Sequence, residues 1–127
     1  MEKKQFRWAD RGKSFGYAFR GLFRFIQSEH NARLHLGATI AVLIAGCWFQ
    51  ISYLEWIAVI AVTGFVWFAE AVNTVLEKLL DWLHPEQHPV VGQLKDLAAG
   101  AVLIAAITAA ITGGIIFLPR VYEILTP

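Results

Sequence analysis

The chain has 127 residues, 57% of them hydrophobic and 17% charged, with a mean hydropathy of +0.51 and a formal net charge of +1. Soluble domains are less apolar and more charged, and this length allows a single domain, residues 1–127, so a large enzyme with its own nucleotide-binding fold is excluded. So apolar a chain is not disordered, and the single cysteine, Cys47, excludes an intrachain disulfide.

The first predicted element is a helix over about residues 13–31. Phe15, Phe19, Leu22, Phe23 and Ile26 recur at helical spacing, with Lys13, Arg20, Arg24 and Gln27 on the opposite side. Such a basic amphipathic helix suits the membrane interface, or packs on a helical bundle. It is not a signal peptide, because charges interrupt every apolar stretch. Gly12, Lys13 and Ser14 resemble the end of a phosphate-binding loop, but Arg7 stands where that motif needs glycine.

Residues 34–54 then contain no Asp, Glu, Lys or Arg, a run of 21. About 18 apolar residues read as a membrane span, and about 20 cover the hydrocarbon core. The next uncharged run, residues 56–69, is shorter, but no Gly or Pro interrupts the continuation to Asp81. A second span is therefore expected over 56–81. His84, Pro85, Glu86, Gln87, His88 and Pro89 read as a loop. With Pro85 between them, His84 and His88 do not read as a helical metal pair. A third uncharged run of 23 residues covers 97–119, giving a span over about 96–118 that Leu118 and Pro119 are expected to close. The fold class is thus all-α integral membrane: a surface helix plus three transmembrane helices. Ala101, Ala105, Ala109 and Gly113 form a small-residue stripe that allows close helix approach. Three short helices enclose little by themselves, so copies of the chain are expected to associate.

Eight of the 11 basic residues (Lys3, Lys4, Arg7, Arg11, Lys13, Arg20, Arg24, Arg33) precede the first span. Lys78 and Lys95 flank the second connection. The positive-inside rule places the N-terminus and the 82–96 connection in the cytoplasm.

The candidate chemistry lies on the second span. At 100° per residue, Glu70, Glu77 and Asp81 fall within about 20° of one line, with Asn73 about 60° away. Glu70 and Glu77 are about 10 Å apart along the axis. One metal cannot be held by both directly, but they suit separate jobs at the two ends of a transferring phosphate. Ionisable residues within a span usually mark function. Glu29 and Arg33 are i,i+4 neighbours and read as a helix-surface pair; Lys95 and Asp96 read as a helix start. Two carboxylates, Glu29 and Glu77, match the oxygen preference of Mg²⁺, and a lysine can meet phosphate charge. A small ion or proton translocator is the alternative reading of a carboxylate stripe, and a non-catalytic adaptor a third. Glu77 and Asp81 lie toward the cytoplasmic end rather than mid-bilayer, which favours catalysis.

The run Glu70, Ala71, Val72, Asn73, Thr74, Val75, Leu76, Glu77 with Asp81, followed by Lys95, Asp96, Leu97, Ala98, Ala99, Gly100, Ala101, Val102, closely resembles the prokaryotic diacylglycerol kinase/undecaprenol kinase family. Glu29 to His35 and Phe15 to Leu22 are similar to it as well, and the resemblance covers roughly residues 13–119. It implies a homotrimeric lipid kinase of the bacterial inner membrane. Its composite sites would lie between subunits at the cytoplasmic face. It implies that Glu70 is the general base toward the lipid hydroxyl and that Asn73 positions the reacting groups. It implies further that Glu29 and Glu77 hold the Mg²⁺ of ATP, and that Tyr17, Glu86, Gln87, His88, Lys95 and Asp96 contact ATP. Where some members carry an arginine nearer position 10, this chain has Asp10 followed by Arg11. Glu29, Asn31, Arg33 and His35, together with Glu55 and Trp56, look more like the undecaprenol kinase branch. A polyprenol acceptor is therefore favoured over diacylglycerol. No nucleic-acid partner is expected.

Overall fold

The computed structural model describes residues 8–126. Lys3, Lys4 and Arg7 of the N-terminal basic set lie outside the described residues. Four helices follow in order: α1 (Trp8–Ser28), α2 (His30–Trp48), α3 (Tyr53–Leu83) and α4 (Pro89–Leu125). No strand occurs among the described residues. Helices α3 and α4 form an antiparallel pair, α2 packs on α3, and α1 meets α2.

The residue that docks α1 is Phe25. It is buried, and its ring meets that of Trp67 in α3 edge to face, centroids 6.1 Å apart. The predicted apolar stripe of Phe15, Phe19, Leu22 and Phe23 is left exposed. Between α1 and α2, Glu29 is extended (φ −105°, ψ 126°) and acts as the N-cap position of α2. The i,i+4 pair expected between Glu29 and Arg33 therefore does not form, because that geometry needs both residues on the helix. Arg33 instead donates to the carbonyls of Ile26 (3.3 Å) and Gln27 (2.5 Å), satisfying acceptors that the end of α1 leaves free.

Helix α2 stops at Trp48, short of the expected residue 54. The cause is a Schellman turn. The N–H of Ile51 donates to the Gly46 carbonyl (3.2 Å) and that of Gln50 to the Cys47 carbonyl (3.3 Å), with Gln50 in the left-handed region (φ 49°). Glycine usually takes that position, so glutamine gives no sequence signal. Ser52 then opens α3 with a capping box. Its Oγ accepts from the Glu55 N–H (3.3 Å), and its own N–H donates to the Glu55 carboxylate (2.7 Å).

Gly46 makes this corner possible. A Cβ there would lie 2.6 Å from Cη2 of Trp56 and 3.2 Å from Cδ1 of Ile51. Trp56 packs against the buried cluster of Ile51, Val59 and Ile116, so its ring has little room to withdraw. Gly46→Ala is expected to destabilise the protein by about 1–3 kcal/mol, read as a lowered thermal midpoint in detergent.

Helix α4 differs from expectation at both ends. It begins at Pro89 rather than near residue 96, because proline is tolerated at the first helical position, where its missing N–H has no partner to lose. The His88 Nδ1 accepts from the Val90 N–H (3.2 Å) and caps this start. Lys95 and Asp96 thus lie within the helix rather than at its start. At the other end, α4 runs through Pro119 to Leu125. Proline removes one helical donor and crowds the preceding turn. The next residue, Arg120, anchors this end: its Nη1 donates to the Ile116 carbonyl (2.5 Å), and its guanidinium holds the Glu55 carboxylate through two bonds of 2.9 and 2.8 Å. The last turns of α4 are thereby tied to the start of α3.

The core of the single chain is thin. Among the described residues, those buried and apolar besides Phe25 are Ala32, Ile51, Val59, Val66, Ala105 and Ile116, while Trp48, Leu97, Ile104 and Ile115 are among many large apolar side chains left exposed. Apolar surface on this scale calls for lipid or another protein surface. Helices α3 and α4 are long and apolar enough to cross a membrane. Helix α2, with 19 residues, does not join them on the same measure, since its first turns carry His30, Asn31, Arg33 and His35. Part of the small-residue stripe is used within the chain: Ala105 is fully buried, and Ala109 and Gly113 line a crevice between α2, α3 and α4.

Candidate active site

Polar burial among the described residues is confined to one place. Among the described residues, the buried polar side chains are Glu70, Asn73 and Thr74, all on the second half of α3. Glu70 is 3% exposed, and its Oε2 lies 3.8 Å from Nε2 of His35 on α2. Asn73 donates from Nδ2 to Oε1 of Glu77 (3.2 Å), and its own Oδ1 is buried with no hydrogen-bond partner. Glu77 is half-buried, and Asp81 is 64% exposed and ion-paired with Lys95 of α4. The stripe therefore runs from a buried carboxylate to a solvated one. That grading is what a helix leaving an apolar layer produces.

The α1–α2 corner brings Glu29 to Lys78, the residue after Glu77 on α3. The Oε1 of Glu29 lies 2.7 Å from Nζ of Lys78 and accepts from the Ser28 hydroxyl (3.1 Å). The Lys78 hydrogen bond holds the Glu29 carboxyl below the usual carboxylate range; partial burial opposes this, and the Ser28 bond adds to it. A depressed pKa in the fold contributes stability above the unfolded-state value, and that contribution is lost as pH falls through the folded value. Lys78→Met is thus expected to lower stability at neutral pH by less than about 1 kcal/mol, since both groups are partly solvated. Thermal midpoints of the two proteins should converge as pH falls through and below the ordinary carboxylate range.

The connection between α3 and α4 forms a polar groove of about 490 Å³, lined by Asp81, His84, Glu86, Gln87, His88 and Lys95 among others. Four of the sequence-predicted ATP contacts (Glu86, Gln87, His88, Lys95) thus surround one groove, although the Nδ1 of His88 is engaged in its helix cap. Asp96 is exposed on α4 and does not line it. Tyr17 is exposed on α1, where the Arg20 guanidinium stacks over its ring at 5.4 Å.

Two partners carry no signal in the sequence: nothing in the spacing pairs His35 with Glu70, or Lys78, which flanks the second connection, with Glu29. Their contacts with Glu70 and Glu29 depend on the register between helices, which periodicity within one helix does not report.

The donor set bears on a metal. Glu29 and Glu77 supply hard oxygens, and beside Glu77 the buried Asn73 Oδ1 is an acceptor without a donor. By donor chemistry these oxygens would suit a hard divalent cation such as Mg²⁺. No group of three or more His, Cys, Asp or Glu side chains fit to hold a metal by itself occurs among the described residues.

These features define an all-helical membrane protein whose carboxylates gather along one helix beside a polar loop groove. The chain belongs to the prokaryotic diacylglycerol kinase family, which matches residues 16–117, and it is therefore a lipid kinase, an enzyme of phosphoryl transfer from ATP. It is 37% identical to the undecaprenol kinase of Bacillus subtilis (strain 168) over 85% of this chain and 88% of that protein. It is 35% identical to a diacylglycerol kinase of Synechocystis over 88% of this chain and 65% of that protein. Identity to the diacylglycerol kinase of Escherichia coli (strain K12) is 30%, over 79% of this chain and 82% of that protein.

Proposed function

We propose that this kinase transfers the γ-phosphoryl group of MgATP to the hydroxyl of a membrane lipid, undecaprenol in preference to diacylglycerol, giving undecaprenyl phosphate or phosphatidic acid. The observation that carries the reading is the buried run of Glu70, Asn73 and Thr74 on a helix otherwise fit for a membrane. Polar groups there are costly and call for a functional reason.

In this reading Glu70 is the general base. Its carboxylate accepts the proton of the lipid hydroxyl as that oxygen bonds to the γ-phosphorus. The bond from the γ-phosphorus to the β–γ bridging oxygen breaks, and ADP leaves. Asn73 positions the reacting groups from the next turn. Glu29 and Glu77 would hold Mg²⁺, which would supply charge neutralisation at the phosphate oxygens. Lys95, Asp96, Tyr17 and the Glu86, Gln87 and His88 segment contact ATP. Phosphoryl transfer needs mainly positioning and electrostatics, which a helical membrane scaffold can provide.

The assembly proposed is a homotrimer of the bacterial inner membrane, with α2 as a third span and α1 at the cytoplasmic surface. Sites would be completed between subunits at that face. The exposed apolar faces of α1, α3 and α4 support it, as does the gathering of basic residues before α2. The preference for undecaprenol rests on Glu29, Asn31, Arg33 and His35, on Glu55 and Trp56, and on likeness to the Bacillus subtilis relative. The test is competition: equal undecaprenol and diacylglycerol in mixed micelles with limiting MgATP. Undecaprenyl phosphate as the main product supports the reading; phosphatidic acid as the main product overturns the preference.

A further inference from the structure

We propose that His35 is a positioning residue for Glu70, holding one carboxylate oxygen so that the other faces the acceptor hydroxyl; this rests on Glu70 being the base. The Nε2 of His35 lies 3.8 Å from Oε2 of Glu70, a small side-chain rotation from a hydrogen bond. A buried carboxylate is costly without such a partner, and the nearby cations are engaged elsewhere. Lys78 is paired with Glu29, Lys95 with Asp81, and Arg33 caps the end of α1.

The fold fixes this contact from one turn away. Trp67 of α3 donates from Nε1 to the Thr39 hydroxyl of α2 (2.9 Å), and that hydroxyl donates to the His35 carbonyl (2.7 Å). Thr39 is four residues after His35, and Trp67 is three before Glu70. The two helices run antiparallel, so the Trp67–Thr39 bond sets the register that puts the imidazole beside the carboxylate. Opposite, α4 faces His35 across a crevice of about 270 Å³ with Ala106, Ala109, Ala110 and Gly113, none of them ionisable. With Nε2–H donating to Oε2, the Oε1 of Glu70 is left to accept the lipid proton. His35 itself transfers nothing.

The geometry separates this role from packing. A glutamine at position 35 can carry its amide nitrogen to the place of Nε2, whereas an asparagine reaches only the place of Nδ1. His35→Asn is expected to lower kcat about 10- to 100-fold, with KM for ATP and the thermal midpoint unchanged. His35→Gln is expected to recover most of that loss. In combination with Glu70→Gln, His35→Asn should lower turnover no further, because coupled residues are not additive. Wild-type kcat in His35→Asn, equal impairment of both variants, or a fully additive double variant would each overturn the proposal. Thr39→Val offers a second route: loss of the Trp67 bond should lower kcat without raising KM for ATP, and wild-type kcat there would count against the register argument. The Glu70→Gln control keeps the levels apart. Full activity in that variant overturns the base assignment itself, whereas an inactive Glu70→Gln beside a fully active His35→Asn overturns only the role of His35.

Discussion

Glu70→Gln is expected to lower kcat by about 10²- to 10⁴-fold, the usual worth of a positioned general base. Glutamine keeps the volume and much of the hydrogen bonding of the buried side chain. What it removes is the ability to take a proton. Glu70 is 3% exposed, so bulk water offers no easy substitute acceptor. ATP is proposed to bind further along α3, so KM for ATP should change little. Steady-state kinetics in mixed micelles, with the thermal midpoint as a check on folding, measure both quantities. A drop in kcat together with an unfolded protein would say nothing of the base; a folded protein with low kcat isolates it.

Glu77→Ala is expected to cost about 10²- to 10³-fold in kcat, the scale seen when one preorganised electrostatic group is removed. Two effects combine. One carboxylate of the proposed Mg²⁺ site is lost, and Asn73 loses the acceptor of its Nδ2. Since the Oδ1 of Asn73 already has no hydrogen-bond partner, the whole amide would be left unmatched in a buried place. The Mg²⁺ concentration giving half-maximal rate should rise, which distinguishes this variant from Glu70→Gln. Measuring rate against free Mg²⁺ at saturating ATP separates them.

What could be read from the sequence follows the reach of each physical rule. The Glu70, Asn73, Glu77 and Asp81 stripe was legible because helical periodicity alone puts those residues on one side of α3. The helical class was legible from long uncharged runs. Helix ends were not. α2 stops at a Schellman turn whose left-handed residue is Gln50 rather than glycine. α4 starts at Pro89, which reads equally well as part of a loop, and it passes Pro119 to an end where Arg120 is held by Glu55. Contacts between helices were the least legible. Glu29 with Lys78, and His35 with Glu70, follow from the corner at Glu29 and the Trp67–Thr39 register bond. Neither is encoded in spacing along one helix. The buried docking residue of α1 is Phe25, outside the amphipathic stripe that stands out in the sequence.

The most direct measurement uses the protein in liposomes that hold both undecaprenol and diacylglycerol, with ATP labelled at its γ-phosphorus and Mg²⁺ outside. The label should appear in an extractable lipid phosphate with the wild type and be nearly absent with Glu70→Gln. No label in any lipid, or equal labelling by Glu70→Gln, would contradict the account, as would proton flux through the wild type without ATP.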